Sequence, residues 1–209
     1  MDVEKVIREC RIMPLVTLES AESAEILGEA LTECGLNIVE VTFRTDAAAD
    51  AIKLLSGNFP NLLVGAGTVL TTEMVDEAID AGASYILAPG FNKEVVAYCQ
   101  AKNIPVYPGC MTPSEIDMAY SMGLRTVKIF PFVQMGGLPM LKAVAAPYKM
   151  MRFLVTGGIN NENLAETLAY DKIVSCGGSW LIDTKKLKVG DKEGIKKDIS
   201  AALSLIEGK

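Results

Sequence analysis

The chain has 209 residues, half of them hydrophobic and 22% charged, so its length suits one well-buried core and its composition excludes disorder. A net charge of −6 without a basic patch argues against nucleic-acid binding, and no uncharged apolar run approaches the roughly 18 residues of a membrane span. The charges throughout segment 1–11 are atypical of a signal peptide, so we expect one soluble, cytoplasmic domain over residues 1–209.

Short apolar runs typical of buried parallel strands alternate along the chain with amphipathic helical stretches. The predicted strands are Ile12–Leu18, Asn37–Phe43, Leu62–Thr68, Tyr85–Pro89, Ile104–Pro108, Thr126–Phe130, Arg152–Thr156 and Ile173–Cys176. The predicted helices are Glu22–Cys34, Thr72–Ala81, Asn92–Lys102, Pro113–Met122, Leu138–Ala146, Asn161–Ala169 and Glu193–Ile206, with an extra helix, Val3–Glu9, before the first strand. This alternation predicts an α/β fold, a (β/α)₈ TIM barrel with an extra N-terminal helix, rather than an open doubly wound sheet.

Two predicted strands carry ionisable residues, although burying a charged side chain in a strand costs free energy unless the group is paired or has a function. In the second strand, the two-residue period directs Glu40 and Arg44 into the barrel, near the end where such folds keep their active sites. The sixth strand directs Lys128 and Phe130 inward in the same way. The alternative interpretations are a Glu–Arg pair that only stabilises the barrel, and a lysine that reaches solvent or pairs with a core carboxylate.

The chain contains no histidine, which limits the catalytic mechanisms open to it. That excludes Ser-His and Cys-His nucleophiles and His-ligated catalytic zinc. A desolvated lysine such as Lys128 is then a natural nucleophile for Schiff-base chemistry, with Glu40 as its proton shuttle. The five cysteines form no CxxC pair and are expected to be reduced. Neither nucleotide-binding glycine motif occurs, so a nucleotide cofactor is not expected.

Paired glycines follow the seventh and eighth strands, at Gly157-Gly158 and Gly177-Gly178. In this fold the two loops make the standard phosphate site from backbone N–H groups and the start of a short helix, which Ser179 could cap. The pattern predicts a substrate with a phosphate or a similar terminal anion. The alternative is a pair of tight turns with no binding role.

Several segments resemble the family of 2-keto-3-deoxy-6-phosphogluconate (KDPG) aldolase and 4-hydroxy-2-oxoglutarate (KHG) aldolase. Residues 35–44, around Glu40, resemble the segment around that family's active-site glutamate, and residues 123–131 resemble the segment around its Schiff-base lysine. The turns at 65–68, 89–90, 108–109, 112–115, 156–159 and 177–180 resemble the family's turns in the same order. The likeness spans about residues 5–207.

The resemblance implies a role for each candidate site residue. Lys128 would form the imine with the substrate ketone, and Glu40 would be the general acid and base. The binding roles would fall to Arg44 and Thr68 for the carboxylate of the pyruvate half, to Pro89 and Phe130 for packing against that half, and to Gly157, Gly158, Gly178 and Ser179 for the distal phosphate. The resemblance also implies a homotrimer without metal or other cofactor, in carbohydrate metabolism and the Entner–Doudoroff pathway.

The implied reaction is the reversible cleavage of the keto-acid sugar phosphate KDPG to pyruvate and glyceraldehyde 3-phosphate, with cleavage of KHG to pyruvate and glyoxylate as a second activity. A 2-keto-3-deoxy-6-phosphogalactonate aldolase, a phosphate-binding barrel isomerase or epimerase, and a non-catalytic sugar-phosphate sensor stay open as alternatives. The chain departs from the family at Phe132, where a small residue is usual, and at Val155, where proline is frequent. Phe132 could crowd the mouth of the site, which leaves the substrate open.

Overall fold

In the computed structural model, which describes residues 2–206, eight parallel strands form the wall of a barrel. The strands are β1 (Ile12–Val16), β2 (Ile38–Thr42), β3 (Leu63–Gly67), β4 (Tyr85–Leu87), β5 (Val106–Tyr107), β6 (Thr126–Ile129), β7 (Arg152–Thr156) and β8 (Ile173–Gly178). They follow the order β5-β4-β3-β2-β1-β8-β7-β6, so β1 pairs with β8 as well as with β2.

Hydrogen bonds around Lys128 close the wall between β5 and β6. The N–H of Lys128 donates to the carbonyl oxygen of Pro108 at 2.9 Å, and the N–H of Cys110 donates to the carbonyl oxygen of Lys128 at 2.8 Å. Gly109 lies opposite Lys128 as a parallel bridge. The predicted (β/α)₈ barrel is therefore confirmed.

Helices alternate with the strands outside the barrel wall. Their bounds are α1 (Val3–Cys10), α2 (Glu22–Glu33), α3 (Ala48–Asn58), α4 (Thr72–Asp80), α5 (Lys93–Ala101), α6 (Pro113–Ser121), α7 (Gly137–Ala145), α8 (Leu164–Leu168), α9 (Thr184–Lys188) and α10 (Lys192–Ser204), with a 3₁₀ turn at Ser179–Leu181. The extra helix before β1 is confirmed as α1. Among the helices of residues 2–206, none has the length and hydropathy to cross a membrane.

Two helices, α3 and α9, lie where the sequence analysis predicts none. Helix α3 begins after Ala47, which makes no side-chain hydrogen bond, so the usual sequence signal for a helix start is missing. Its buried residues Ala48, Ile52 and Leu55 nevertheless recur at helical spacing. Helix α9 has only five residues, too few for a periodic pattern to stand out.

Near the amino ends of the strands, the interior of the barrel is filled by large side chains. Tyr85 is fully buried, and its hydroxyl donates to the carbonyl oxygen of Val39 at 2.9 Å. Burial raises the pKa of Tyr85, so the hydroxyl stays a donor. A Cβ on Gly65 would overlap the Tyr85 ring, which is why β3 carries a glycine there. Above this packing, nearer the carboxyl ends of the strands, lie the polar residues Glu40 of β2 and Lys128 of β6.

Candidate active site

Lys128 and Glu40 meet inside the barrel, as their positions on β6 and β2 predict. The ammonium nitrogen Nζ of Lys128 lies 3.0 Å from Oε1 and 3.4 Å from Oε2 of Glu40. Lys128 is 4% exposed and Glu40 is fully buried. The inward direction of both side chains is confirmed, and they form a buried ion pair.

This contact is suited to moving one proton between an amine and a carboxylate. Both groups are buried, and the 3.0 Å hydrogen bond gives a proton a direct path between Nζ and Oε1. Transfer of a proton from Nζ to Oε1 would give a neutral amine beside a carboxylic acid. Those are a nucleophile and a general acid in one contact.

Gly67, the last residue of β3, makes room for the Glu40 carboxyl group. A Cβ added at Gly67 would overlap Oε1 of Glu40 and lie 2.6 Å from its Cγ. Glu40 and Thr42 pair with Gly65 and Gly67 across the β2–β3 register. The glycines of this segment therefore provide space for Tyr85 and Glu40.

Arg44 and Thr68 follow β2 and β3 and lie beside each other at the mouth of the barrel. The Nε–H of Arg44 donates to Oγ1 of Thr68 at 3.3 Å. Thr68 has a φ of 62°, in the left-handed region that a β-branched residue rarely adopts. Strain of this kind clusters at functional sites, where it holds a side chain in position. Arg44 keeps its remaining N–H donors for a ligand such as a carboxylate.

A cavity of about 320 Å³ opens beside these residues at the carboxyl ends of the strands. Its lining includes six of the predicted binding residues: Arg44, Phe130, Gly157, Gly158, Gly178 and Ser179. Phe130 connects the cavity to the ion pair, because Nζ of Lys128 lies 5.8 Å from the centre of its ring. The structure thus brings most of the candidate set together at the expected end of the barrel.

The two glycine pairs differ from each other in backbone conformation. Gly157 and Gly158 follow β7 with φ values of 96° and 80°, as a tight turn requires. Gly177 and Gly178 instead are the last residues of β8 and pair with β1, so this strand extends two residues beyond its predicted end at Cys176. Glycine is needed at Gly178 because a Cβ would overlap the ring of Trp180.

The predicted cap at Ser179 and the predicted crowding by Phe132 are wrong, and Pro89 lies outside the cavity lining. Ser179 does not cap the short helix after β8: it is the first residue of the 3₁₀ turn, and Gly178 occupies the N-cap position. Phe132 does not crowd the mouth, because it is 1% exposed within the core and its N–H donates to the carbonyl oxygen of Thr156 at 2.8 Å. Pro89 lies beside Gly109, and a Cβ on Gly109 would overlap the carbonyl group of Pro89. Pro89 is not part of the cavity lining.

Sequence reasoning misses Thr156, the last residue of β7, which lines the cavity. Its side chain is 1% exposed, and its Oγ1 has no hydrogen-bond partner within residues 2–206. A buried hydroxyl without a partner costs free energy, so a polar ligand group here would be favoured. The two-residue period of β7, which puts Thr156 on the same face as Leu154, is the signal that could have found it.

Trp180 is a second missed residue, and its indole borders the cavity. Its Nε1–H donates to Oδ1 of Asn161 at 2.9 Å, which fixes the ring beside Gly178. It is the only tryptophan of the chain. Its fluorescence therefore reports on this cavity.

Cys110, the sulfur-bearing residue next to Lys128 across the β5–β6 closure, is an unreactive thiol. Burial raises its pKa to about 12, and the charge of Glu115 adds to the effect. Its Sγ lies within weak hydrogen-bond range of the carbonyl oxygens of Pro108 and Glu115, at 3.8 and 3.7 Å. A thiolate nucleophile at this position is therefore disfavoured.

Comparison with known proteins places the chain among aldolases. The family model of KDPG and KHG aldolases matches residues 3–198. A 2-dehydro-3-deoxy-phosphogluconate aldolase from Haemophilus influenzae is 40% identical over 205 residues, which are 98% of this chain and 96% of that protein. The KHG/KDPG aldolase of Escherichia coli strain K12 is 34% identical over 194 residues, covering 93% and 91% of the two chains.

A solved structure shares the fold of this chain and contains a covalent adduct of pyruvate. It is the KDPG aldolase of Legionella pneumophila, captured with pyruvate as a covalent carbinolamine intermediate. The TM-score is 0.92 at 34% identity, with 97% of this chain and 98% of that chain covered. A carbinolamine is the adduct that an amine such as Lys128 forms with a ketone. The chain therefore belongs to the KDPG and KHG aldolase family of class I aldolases, which are lyases.

Proposed function

We propose that the protein reversibly cleaves 2-keto-3-deoxy-6-phosphogluconate to pyruvate and glyceraldehyde 3-phosphate through a Schiff base on Lys128. The observation that carries this proposal is the 3.0 Å contact between Nζ of Lys128 and Oε1 of Glu40 inside the barrel. Amine and carboxylate supply the nucleophile and the proton carrier that the reaction needs.

Imine formation is the first half of the mechanism. Glu40 takes a proton from Nζ of Lys128, the neutral amine adds to the C2 carbonyl carbon of the substrate, and Glu40 gives that proton to the oxygen, which becomes the carbinolamine hydroxyl. Glu40 then takes a second proton from Nζ and gives it to the hydroxyl, which leaves as water. The protonated imine that results is the electron sink for the next step.

Cleavage of the carbon–carbon bond is the second half. The Glu40 carboxylate takes the proton of the C4 hydroxyl, the C3–C4 bond breaks, and its electron pair passes to the imine to give an enamine. The aldehyde leaves as glyceraldehyde 3-phosphate. Protonation of the enamine at C3 gives the pyruvate imine, and water then releases pyruvate and restores Lys128.

The binding residues divide between the two ends of the substrate. Arg44, supported by Thr68 at 3.3 Å, suits the carboxylate of the pyruvate half, against which Phe130 would pack. Pro89 would pack against the same half from the β4 side. For the distal phosphate we propose the cavity rim formed by Gly157, Gly158, Gly178 and Ser179.

We propose three further properties of the protein from its resemblance to the family. They are a homotrimeric assembly, a cytoplasmic location and a place in the Entner–Doudoroff pathway. All five cysteines are free, three of them buried, which supports a reducing compartment. Sedimentation analysis tests the assembly, with a trimer expected and a monomer or dimer contradicting it.

A side-by-side turnover assay tests the reaction. Pyruvate release is measured from KDPG, from its galactonate counterpart and from unphosphorylated KHG. We expect the highest kcat/KM with KDPG and a lower value with KHG, because KHG has no phosphate for the glycine-lined rim. No pyruvate from any of the three, or equal rates with and without the phosphate, would contradict the assignment.

A further inference from the structure

A second cavity lies at the end of the barrel opposite the candidate active site. It occupies about 540 Å³ where α1 meets the amino ends of β5, β6 and β7. Its lining includes three arginines, Arg8, Arg125 and Arg152, and one carboxylate, Glu4. Three of the five arginines of the chain therefore line this cavity.

The single carboxylate is already engaged with the wall of the cavity. Glu4 accepts hydrogen bonds from Nη2 of Arg8 at 2.7 Å, from Oγ1 of Thr126 at 2.7 Å and from the hydroxyl of Tyr107 at 3.1 Å. Burial, together with the charge of Glu4, raises the pKa of Tyr107, so its hydroxyl remains a donor. Glu4 therefore balances Arg8 and is not available to the other two arginines.

Arg125 and Arg152 are held by main-chain carbonyl groups rather than by acids. Nη1 of Arg125 donates to the carbonyl oxygens of Leu124 at 2.8 Å and Tyr120 at 3.3 Å, and Nη1 of Arg152 donates to that of Met151 at 3.0 Å. The Arg125 guanidinium also stacks on the Tyr120 ring, 4.4 Å from its centre. Within residues 2–206, neither arginine forms a salt bridge.

Arg125, the residue before β6, and Arg152, the first residue of β7, both line the cavity. The N–H of Arg152 donates to the carbonyl oxygen of Arg125 at 2.8 Å, and Arg152 pairs with Thr126 in the β6–β7 register. One nitrogen of each guanidinium is anchored, which leaves further N–H donors on each side chain. Guanidinium N–H donors that are still available are well suited to the oxygens of a phosphate or carboxylate group.

We propose that this cavity binds a small organic dianion, a phosphate monoester above all, through Arg125 and Arg152. A volume of about 540 Å³ exceeds what a bare phosphate needs and lies within the range of small-molecule sites. Val106, Leu124 and Met150 give the lining an apolar part that suits a short carbon skeleton. The site is distinct from the aldolase site, which opens at the other end of the strands.

The test uses the arginine side chains themselves as reporters. The chain has five arginines, at positions 8, 11, 44, 125 and 152, so a ¹⁵N spectrum of the Nε–H groups holds five assignable signals. Arg44 reports on the aldolase cavity, while Arg125 and Arg152 report on the second cavity. The probes are inorganic phosphate and glycerol 3-phosphate, added to the intact protein at constant ionic strength.

The expected result is a saturable shift of the Arg125 and Arg152 signals with a midpoint different from that of Arg44, and tighter binding of glycerol 3-phosphate than of phosphate. Arg152→Gln should weaken this binding by about tenfold or more and leave the Arg44 isotherm unchanged. Lys149→Gln is the matched control, since it removes a nearby exposed positive charge outside the lining. It should change neither midpoint by more than about twofold.

Signals of Arg125 and Arg152 that stay still, or that drift linearly without saturation, would overturn the proposal. So would an equal loss of affinity in Arg152→Gln and Lys149→Gln, because general charge would then explain the binding. Pyruvate release by Arg152→Gln confirms that the variant is folded. Movement of Arg44 alone would reject this cavity while leaving the proposed aldolase function intact.

Discussion

Gly67 lies against the carboxyl group of Glu40, so closely that any Cβ on Gly67 would overlap Oε1. The obstructing atoms belong to the carboxylate that contacts Lys128, and Glu40 is fully buried. Gly67→Ala must therefore displace the Glu40 side chain from Nζ. We expect kcat to fall by about 10- to 100-fold, with KM changed less, because geometric errors near 1 Å are costly in catalysis.

Gly57→Ala is the matched control for this substitution. Gly57 lies in α3, and a Cβ there meets nothing within 4 Å. It should raise helix stability by about 0.5–1 kcal/mol and leave turnover unchanged. Wild-type kcat in Gly67→Ala, measured by pyruvate release, would show that the carboxylate position does not matter.

Glu40→Gln tests the proton carrier while keeping the shape of the side chain. The amide can neither take the C4 hydroxyl proton nor return a proton to the carbinolamine, so we expect kcat to fall by about 10²- to 10⁴-fold. It also leaves Nζ of Lys128 without its carboxylate, which should lower the free energy of unfolding by up to about 3–5 kcal/mol. Steady-state kinetics and urea unfolding measure the two effects. Retention of full activity would remove Glu40 from the mechanism.

Thr68→Gly separates backbone strain from binding. Glycine adopts a φ of 62° without the penalty of about 1–3 kcal/mol that a β-branched residue incurs, so the free energy of unfolding should stay equal or rise. Loss of the hydroxyl frees Arg44, and the KM for substrate should rise. Asn103→Gly, at a left-handed position with a φ of 56°, should gain stability without any change in KM. A KM unchanged in Thr68→Gly would reject a role for Thr68 in positioning Arg44.

Thr156→Val tests whether the unpartnered hydroxyl of β7 serves the substrate. Removing a buried hydroxyl that lacks a partner should not lower the free energy of unfolding, and loss of one substrate hydrogen bond of about 1–3 kcal/mol should reduce kcat/KM roughly 5- to 100-fold. Ser175→Ala is the control, because Ser175 is equally buried and unpartnered within residues 2–206 but does not line the cavity. Both variants losing activity equally, or neither losing it, would contradict the role of Thr156.

Much of the site follows from the sequence because strand period and burial act locally. Glu40 and Lys128 each interrupt an apolar run, and the two-residue alternation alone gives the inward direction that the structure confirms. Arg44 and Phe130 extend the same two faces into the cavity. Because the chain has no histidine, the sequence also favours Lys128 as the nucleophile.

The features that sequence reasoning misses depend on contacts between distant segments. Gly178 resembles a turn residue, but it pairs with Pro14 of β1, and it is glycine because the Trp180 ring occupies the space of a Cβ. Counting two residues from Phe130 predicts that Phe132 faces the mouth, yet its N–H donates to Thr156 of β7 and its side chain is buried in the core. Thr156 looks like an ordinary strand residue until its hydroxyl is found without a partner.

The identity of the attacking amine is the centre of the mechanism, and borohydride reduction in the presence of pyruvate tests it most directly. Reduction converts the imine into a stable secondary amine, and peptide mass mapping locates the added mass. We predict modification at Lys128, inactivation that requires pyruvate, and no labelling of a Lys128→Ala variant, which should also be inactive. An unmodified Lys128 peptide, together with full activity in Lys128→Ala, would contradict the Schiff-base mechanism.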